Sequence, residues 1–254
     1  MSPAGGNRDP LVGLLGWRAV LLYGDPAAFD RWLWLRRRLS PGPRATLDAG
    51  TGNGAFAMYA ASRGNRVTGV SNFPQSLTKA ERRSKTSGLT DIRFRPLDLR
   101  ELDRAASELG EFDQIVCMEV IEHILDDRKL VRDFAALTRP AGKLLLTTPF
   151  LHHVPYHDEN VTPEEDGGHV REGYTHEELE RLLAEAGYRV TSRAFLSGVV
   201  SQTVNNLMQR GNHVYPHLGW VLTLPLRLLR PLDRPLTRLT RRPYLAIAVE
   251  AVRE

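Results

Sequence analysis

Residues 47–54 read Leu-Asp-Ala-Gly-Thr-Gly-Asn-Gly, and this run constrains the fold more than any other feature. Gly50, Gly52 and Gly54 follow a short apolar stretch at 45–49 and open a helical pattern at 54–63. A buried strand that passes into a helix through such a loop is a βα junction of an α/β sheet. Glycine takes backbone angles closed to other residues and lets a ligand approach the main chain. The helix start beyond it offers free N–H groups to a carboxylate or a ribose. Spacing alone leaves more than one ligand open, because Gly50, Gly52 and Ala55 also satisfy the dinucleotide fingerprint. A tight turn without any ligand is the third reading.

The rest of the chain repeats the alternation. Strands are expected at 66–70, 92–97, 112–118, 143–148, 188–196 and 244–252, and helices at 74–85, 127–137 and 177–186. Pro140-Ala141-Gly142 reads as a turn before the fifth strand. Strands and helices of this length imply parallel pairing through right-handed crossovers, with helices on both faces. Ligands in such sheets bind outside the carboxyl ends of the strands. Residues 1–9 read as disordered, and 11–39 as two helices broken at Gly24-Asp25-Pro26. The 254 residues suit a single domain. Its expected parts are an N-terminal helical lid at 11–40, a core at 44–196, a helical insertion at 197–243 and a last strand at 244–252.

Composition narrows the setting. A net charge of +4 suits an anionic ligand or surface but is too small to point to nucleic acid. The lone Cys117 excludes an intramolecular disulfide and a multi-cysteine zinc site. A reducing cytoplasm is expected, since 1–10 carries no charged start followed by an apolar run. No apolar stretch approaches the roughly 20 residues that span a bilayer.

Taken in order along 44–197, these motifs resemble the class I (Rossmann-like) S-adenosylmethionine-dependent methyltransferase family. The resemblance implies a seven-stranded, mostly parallel α/β sheet with helices on both faces. Asp48, Gly50, Thr51, Gly52 and Gly54 match the family's donor-binding loop. Asp48 would repel a diphosphate and suits the cationic amino-acid end of the donor. Asp98, in Pro-Leu-Asp98-Leu99, matches the position that contacts the adenine amino group. Glu119-Val-Ile-Glu122-His123 matches the segment beside the sulfonium, and the run from Pro140 to Pro149 looks like the fifth-strand signature. One departure stands out. The family usually ends its second strand with an acidic residue that holds the ribose hydroxyls, and here the run is Val70-Ser71-Asn72-Phe73. Ser71 and Asn72 inherit that task with neutral hydrogen bonds, which are weaker than charge-assisted ones. The same gap counts against a nicotinamide cofactor, which wants an acidic ribose ligand about 20 residues after the loop.

The acceptor side rests on two clusters. Glu119, Glu122 and His123 stand three or four residues apart, a spacing that shares one face of a helical turn. The plainer alternative has Glu119 capping a helix and His123 packed. The second cluster is the long link after the fifth strand, with His152, His153, Tyr156, His157, Asp158, Glu164, Glu165, Asp166, His169, Arg171 and Tyr174. From these, Glu122, His123, His169 and Tyr174 are the catalytic candidates, and Tyr23, His152, Tyr156 and Arg171 the acceptor-binding ones. His152, His157, Glu165 and Asp166 are metal-ligand types without tight ligand spacing, so no metal ligand is assigned. Magnesium is expected only if the acceptor carries a diphosphate.

The insertion mixes leucines with Arg227, Arg230, Arg234, Arg238, Arg241 and Arg242. Apolar plus basic suggests either a membrane-surface segment over 217–242 or a cap over an apolar, anionic acceptor. A helix pair on the core or a homodimer face is the ordinary alternative. The expected activity is methyl transfer to a small molecule: lipid-like, isoprenoid (a prenyl diphosphate included) or a natural product. No nucleic-acid partner is expected. The rivals are a nicotinamide-dependent oxidoreductase and a non-catalytic surface or partner protein that keeps the fold.

Overall fold

The structure is a computed structural model that describes residues 9–24, 26–154, 161–162, 164–165, 167–215 and 218–254, with only the backbone of Tyr23. The expectations at Tyr23, Tyr156, His157, Asp158 and Asp166, and the disorder read into 1–8, therefore fall outside the described residues or side chains.

Seven strands form one sheet: β1 Ala45–Ala49, β2 Arg66–Ser71, β3 Ile92–Pro96, β4 Phe112–Met118, β5 Thr138–Pro149, β6 Tyr188–Leu196 and β7 Ala246–Arg253. Their order across the sheet is β3-β2-β1-β4-β5-β7-β6. β1 to β5 pair in parallel, and β7 runs antiparallel between β5 and β6. The order reverses where β1 meets β4, so the crevice of a doubly wound sheet opens above their carboxyl ends.

Alternate residues of the central strands feed two separate cores. Leu47, Ile115, Cys117, Leu144, Leu146, Ile247 and Val249 face one side. There they meet α6 Leu102–Leu109, α7 Asp127–Leu137 and α8 His176–Glu185. Val116, Met118, Leu145 and Ala248 face the other side. That side carries α1 Pro10–Leu15, α2 Arg18–Tyr23, α3 Pro26–Leu35 and α4 Ala55–Ser62. α5 Pro74–Thr86 packs beside β2 and β3.

Three elements depart from the sequence reading. The N-terminal region makes three helices rather than two, because Gly16 closes α1 at a positive φ and donates its N–H to Val12 O at 2.9 Å. α6 was not foreseen; its two apolar ends, Leu102 and Leu109, span barely two turns. Pro140-Ala141-Gly142 lies inside β5, where Ala141 takes φ 61° beside a register shift against β4. The turn chemistry is present, but the ladder continues through it from Thr138 opposite Phe112.

The insertion folds as α9 Val199–Val214, α10 Leu218–Thr223, a 3-10 run Pro225–Leu232 and α11 Asp233–Thr240. Gly211 and Gly219 let α9 and α10 approach backbone to backbone: a Cβ on Gly211 would stand 2.6 Å from the Gly219 Cα. Buried Asp233 ties α11 to the start of α9 by accepting from the N–H groups of Gly198, Val200 and Ser201 at 2.7, 2.7 and 3.1 Å. No helix among the described residues is long and apolar enough to cross a membrane.

Candidate active site

The carboxyl ends of β1 to β4 open into one cleft of about 790 Å3, its open mouth included. Its wall takes Gly50 and Gly52 after β1, Ser71, Asn72 and Phe73 at β2, and Asp98, Leu99 and Arg100 after β3. Glu119, Val120, His123 and Ile124 follow β4, and Glu165 and Gly167 come from the link after β5.

The glycine loop is held to β2, since Gly50 and Thr51 both donate their N–H to Val70 O, at 3.0 and 2.9 Å. Gly50 has φ 77°, and a Cβ there would run into the Val120 side chain. Gly54 has φ 80° and packs: a Cβ would lie 2.8 Å from that of Ala80. Asp48 and Thr51 sit beneath the loop rather than on the cleft wall. Asp48 is 2% exposed and accepts from Thr51 Oγ1 at 2.6 Å. Burial pushes its carboxyl up to about 6, against hydrogen bonds from Thr51 and the Ala57 backbone that act the other way. The sequence reading set this carboxylate facing a ligand's ammonium group; the structure makes it the brace under the loop.

At β2, Ser71 is buried and its hydroxyl accepts from the Phe73 N–H at 3.2 Å, while Asn72 is exposed. Asp98 does not stand alone. Arg100 grips it through Nε at 2.9 Å and through its own backbone N–H at 3.0 Å, and reaches Glu165 at 2.9 Å. These hydrogen bonds hold the Asp98 carboxyl below its ordinary range. Sequence reasoning missed Arg100, whose signal was only its place two residues beyond Asp98.

The expected helical face of Glu119, Glu122 and His123 is not there. Glu119 adopts φ 55°, and a single 3-10 turn, Ile121–His123, follows. The turn leaves Glu119 and His123 on the cleft wall and sends Glu122 inward. Glu119 stays on the wall, accepts from Thr147 Oγ1 at 2.8 Å and pairs with Arg31 of α3 at 3.1 Å. Neither Arg31 nor Thr147 was anticipated, because only the tertiary fold brings α3 to this point. Glu122 turns into the core, fully buried, and accepts from Thr148 Oγ1 at 3.2 Å. Burial, and then the charge of Glu119, raise its pKa well above the ordinary carboxylate range. His123 lines the cleft and pairs through Nδ1 with the Gly168 carbonyl oxygen at 2.8 Å. A carbonyl only accepts, so Nδ1 carries a proton and Nε2 is the ring nitrogen left for another partner. His169 stands edge-on to His123, with ring centroids 4.7 Å apart.

Tyr174, Arg171 and His152 lie off the cleft wall. The Tyr174 hydroxyl donates to Asp127 at 2.7 Å. Arg171 donates to the Ile124 and Leu125 carbonyls at 2.8 and 2.9 Å and pairs with Asp127. Together they pin the segment after β4 to the start of α7, so they shape the site from behind. His152 packs edge-on against Phe150 in a separate groove with His176 and Phe195. The N-terminal helices likewise contribute no described residue to the cleft wall, and Arg31 reaches toward it through Glu119. Trp17, Trp32 and Tyr59 instead form an aromatic cluster between these helices and α4.

The sequence profile of a family described as "Methyltransferase domain" matches residues 27–193. A ubiquinone biosynthesis O-methyltransferase from Xanthomonas axonopodis pv. citri is 34% identical over 116 residues, which is 45% of this chain and 47% of that protein. The chain thus spans about half the length of the curated relatives it matches. The fold is shared with the cyclase SpnF (TM-score 0.62, 17% identity, 88% of this chain and 79% of that one). It is also shared with the N-methyltransferase NodS from Bradyrhizobium japonicum WM9 in complex with S-adenosyl-L-homocysteine (TM-score 0.57, 17% identity, 91% and 90%).

Proposed function

Because the chain belongs to the methyltransferase domain family, we propose that its cleft binds S-adenosylmethionine and that it transfers a methyl group to a small molecule. The observation that carries the reading is the convergence of Gly50, Gly52, Ser71, Asn72, Asp98 and Glu119 on one crevice at the reversal point of the sheet. The residues fit the group. The bare Gly50 leaves a cradle that a Cβ would close. Ser71 and Asn72 suit ribose hydroxyls, and Asp98, already ionised against Arg100, suits an exocyclic amine.

When bound, the donor supplies a methyl group on a sulfonium, ready for in-line displacement. The protein's work is then alignment, which is worth several kcal/mol when reacting atoms are held at near-attack distance. Val120 and Ile124 give the cleft an apolar wall beside the polar groups. Glu119, fixed from two sides by Thr147 and Arg31, sets a negative charge on the β4 side. That charge complements a cationic centre there.

The acceptor we favour is apolar and lipid-like, of the isoprenoid or aromatic natural-product kind. Two observations support this. The matched relatives carry names from ubiquinone biosynthesis. And among the described residues most large apolar side chains that stand exposed belong to the insertion, including Val214, Leu222, Leu228, Leu232 and Leu239. Arg234, Arg238, Arg241 and Arg242 share that region. An apolar surface edged with arginines complements an anionic lipid surface, the place where such an acceptor would be met.

Titration calorimetry with S-adenosylhomocysteine and with NADH on the full chain tests the core of this reading. Saturable binding of the first and none of the second is expected. Binding of NADH alone would overturn it in favour of an oxidoreductase. Binding of neither would leave a protein that keeps the fold without the chemistry.

A further inference from the structure

Three side chains beside the cleft have an arrangement that alignment of the donor does not require. Glu122, His123 and His169 bring one carboxylate oxygen and two imidazole nitrogens within 4.8 Å of one another. We propose that these three residues form a divalent-cation site bordering the donor cleft. Of the ligand types considered from the link alone, the two described ones, His152 and Glu165, do not belong to it. The described two do other work: Glu165 pairs with Arg100 and the Leu125 N–H, and His152 packs on Phe150.

The strongest sign is at Glu122. Its side chain is fully buried; Oε2 accepts from Thr148, and Oε1 is buried with no hydrogen-bond partner. A buried carboxylate oxygen left unsatisfied is costly unless something positive meets it. Oε1 lies 3.8 Å from His123 Nε2, too far for a hydrogen bond and suited to two ligands of one ion. The tautomer agrees. His123 gives its Nδ1 proton to the Gly168 carbonyl, which leaves Nε2 as the ligating nitrogen and fixes the ring, the usual outer support of a metal-bound histidine.

The backbone holds the third ligand in place. The Val170 N–H donates to Glu122 O at 3.0 Å, and the Thr162 N–H donates to His169 O at 3.0 Å. These bonds, with the His123–Gly168 pair, clamp the 168–170 segment to the 3-10 turn. So two segments far apart in sequence meet in a fixed geometry, as a preformed ion site requires.

Two imidazoles and one carboxylate with coordination positions left over suit manganese, iron, cobalt or zinc better than calcium. His123 is part of the cleft wall, so an ion held there borders the space where an acceptor would lie. Resting on the methyl-transfer reading, its open positions would take an acceptor oxygen. Coordination would let a hydroxyl release its proton to water near neutral pH. An oxygen-bearing acceptor is thereby favoured over a carbon one.

The test uses the full chain stripped with a chelator, titrated with Co(II) alone and followed by its visible ligand-field absorption. Saturable binding with a histidine-ligated band is expected. His169→Ala and His123→Ala should each weaken it about tenfold or more, the scale seen even for supporting residues around metals. Glu122→Gln, which keeps the buried volume, should do the same, with circular dichroism confirming that each variant folds. Absence of saturable binding, or a band unchanged in folded His169→Ala and Glu122→Gln proteins, would overturn the site. S-adenosylhomocysteine titrated into the same wild-type sample separates the two readings. If it binds and cobalt does not, the cation site alone falls. If cobalt binds and it does not, the ion stands and its assignment to an acceptor falls.

Discussion

Single residues in this protein do work that their types alone do not announce. Gly50 is the clearest case. Alanine there would need φ near 77° and would press its Cβ on Val120. A left-handed alanine costs about 1–2 kcal/mol before any clash. Gly50→Ala should therefore lower the urea midpoint and weaken S-adenosylhomocysteine binding at least tenfold by calorimetry. Asp48 adds a pH signature. Its folded pKa, about 6, lies above the 3.8 of the free group. Between those values the folded state keeps a proton that the unfolded chain releases, so stability falls as pH rises through the window and levels off above it. The span corresponds to about 3 kcal/mol at most. Asp48→Asn, followed by urea unfolding from pH 4 to 8, should lose that part of the fall and be the more stable protein at pH 8. Tyr174 makes the contrasting prediction. Its hydroxyl serves Asp127, and burial raises its pKa beyond any working range. Tyr174→Phe should cost about 1 kcal/mol of stability and leave donor binding within a factor of two. A large loss of binding in a stable protein would return the tyrosine to the site.

At the scale of elements, side chains from one segment repeatedly decide where another sits. Arg31 carries α3 to Glu119, and Asp233 carries α11 to the first turn of α9. Three backbone N–H groups end on that one buried carboxylate. Asp233→Ala would leave them unpaired inside the protein, a loss of about 2–3 kcal/mol. Its denaturation should show a separate early phase if the insertion loosens on its own, readable as tryptophan fluorescence from Trp220 against the core signal. The expected helical face of Glu119, Glu122 and His123 failed at this scale. Three-residue spacing is common to helices and to 3-10 turns; here Glu119 takes a positive φ and the 3-10 turn after it carries Glu122 inward.

The whole molecule presents two faces with different chemistry. One end of the sheet holds the cleft, and the insertion between β6 and β7 shows leucines and arginines to solvent. Vesicles containing anionic phospholipid should carry the protein upward in flotation, and neutral vesicles should not. Leu228→Glu with Leu232→Glu should abolish flotation while S-adenosylhomocysteine binding stays intact. Flotation of the double variant equal to wild type would discard the surface.

Much of this was legible in the primary structure. The strand–loop–helix rhythm, the seven strands and the glycine loop follow from local patterns: apolar periodicity, glycine's access to positive φ and the punctuation of turns. Such features need only neighbours in sequence, so the sequence by itself determined the fold class and most of the cleft wall, Gly50, Ser71 and Asp98 among them. Tertiary structure alone decided which polar groups meet. It buried Asp48 beneath the loop, set Arg100 on Asp98, brought Arg31 to Glu119 and laid His169 beside His123. It also drew Tyr174 and Arg171 away into the support of α7. The reason is physical. A charge or hydrogen bond acts over a few ångströms of space, and the distance between residues 31 and 119, or 123 and 169, is written only in how the sheet and its helices pack.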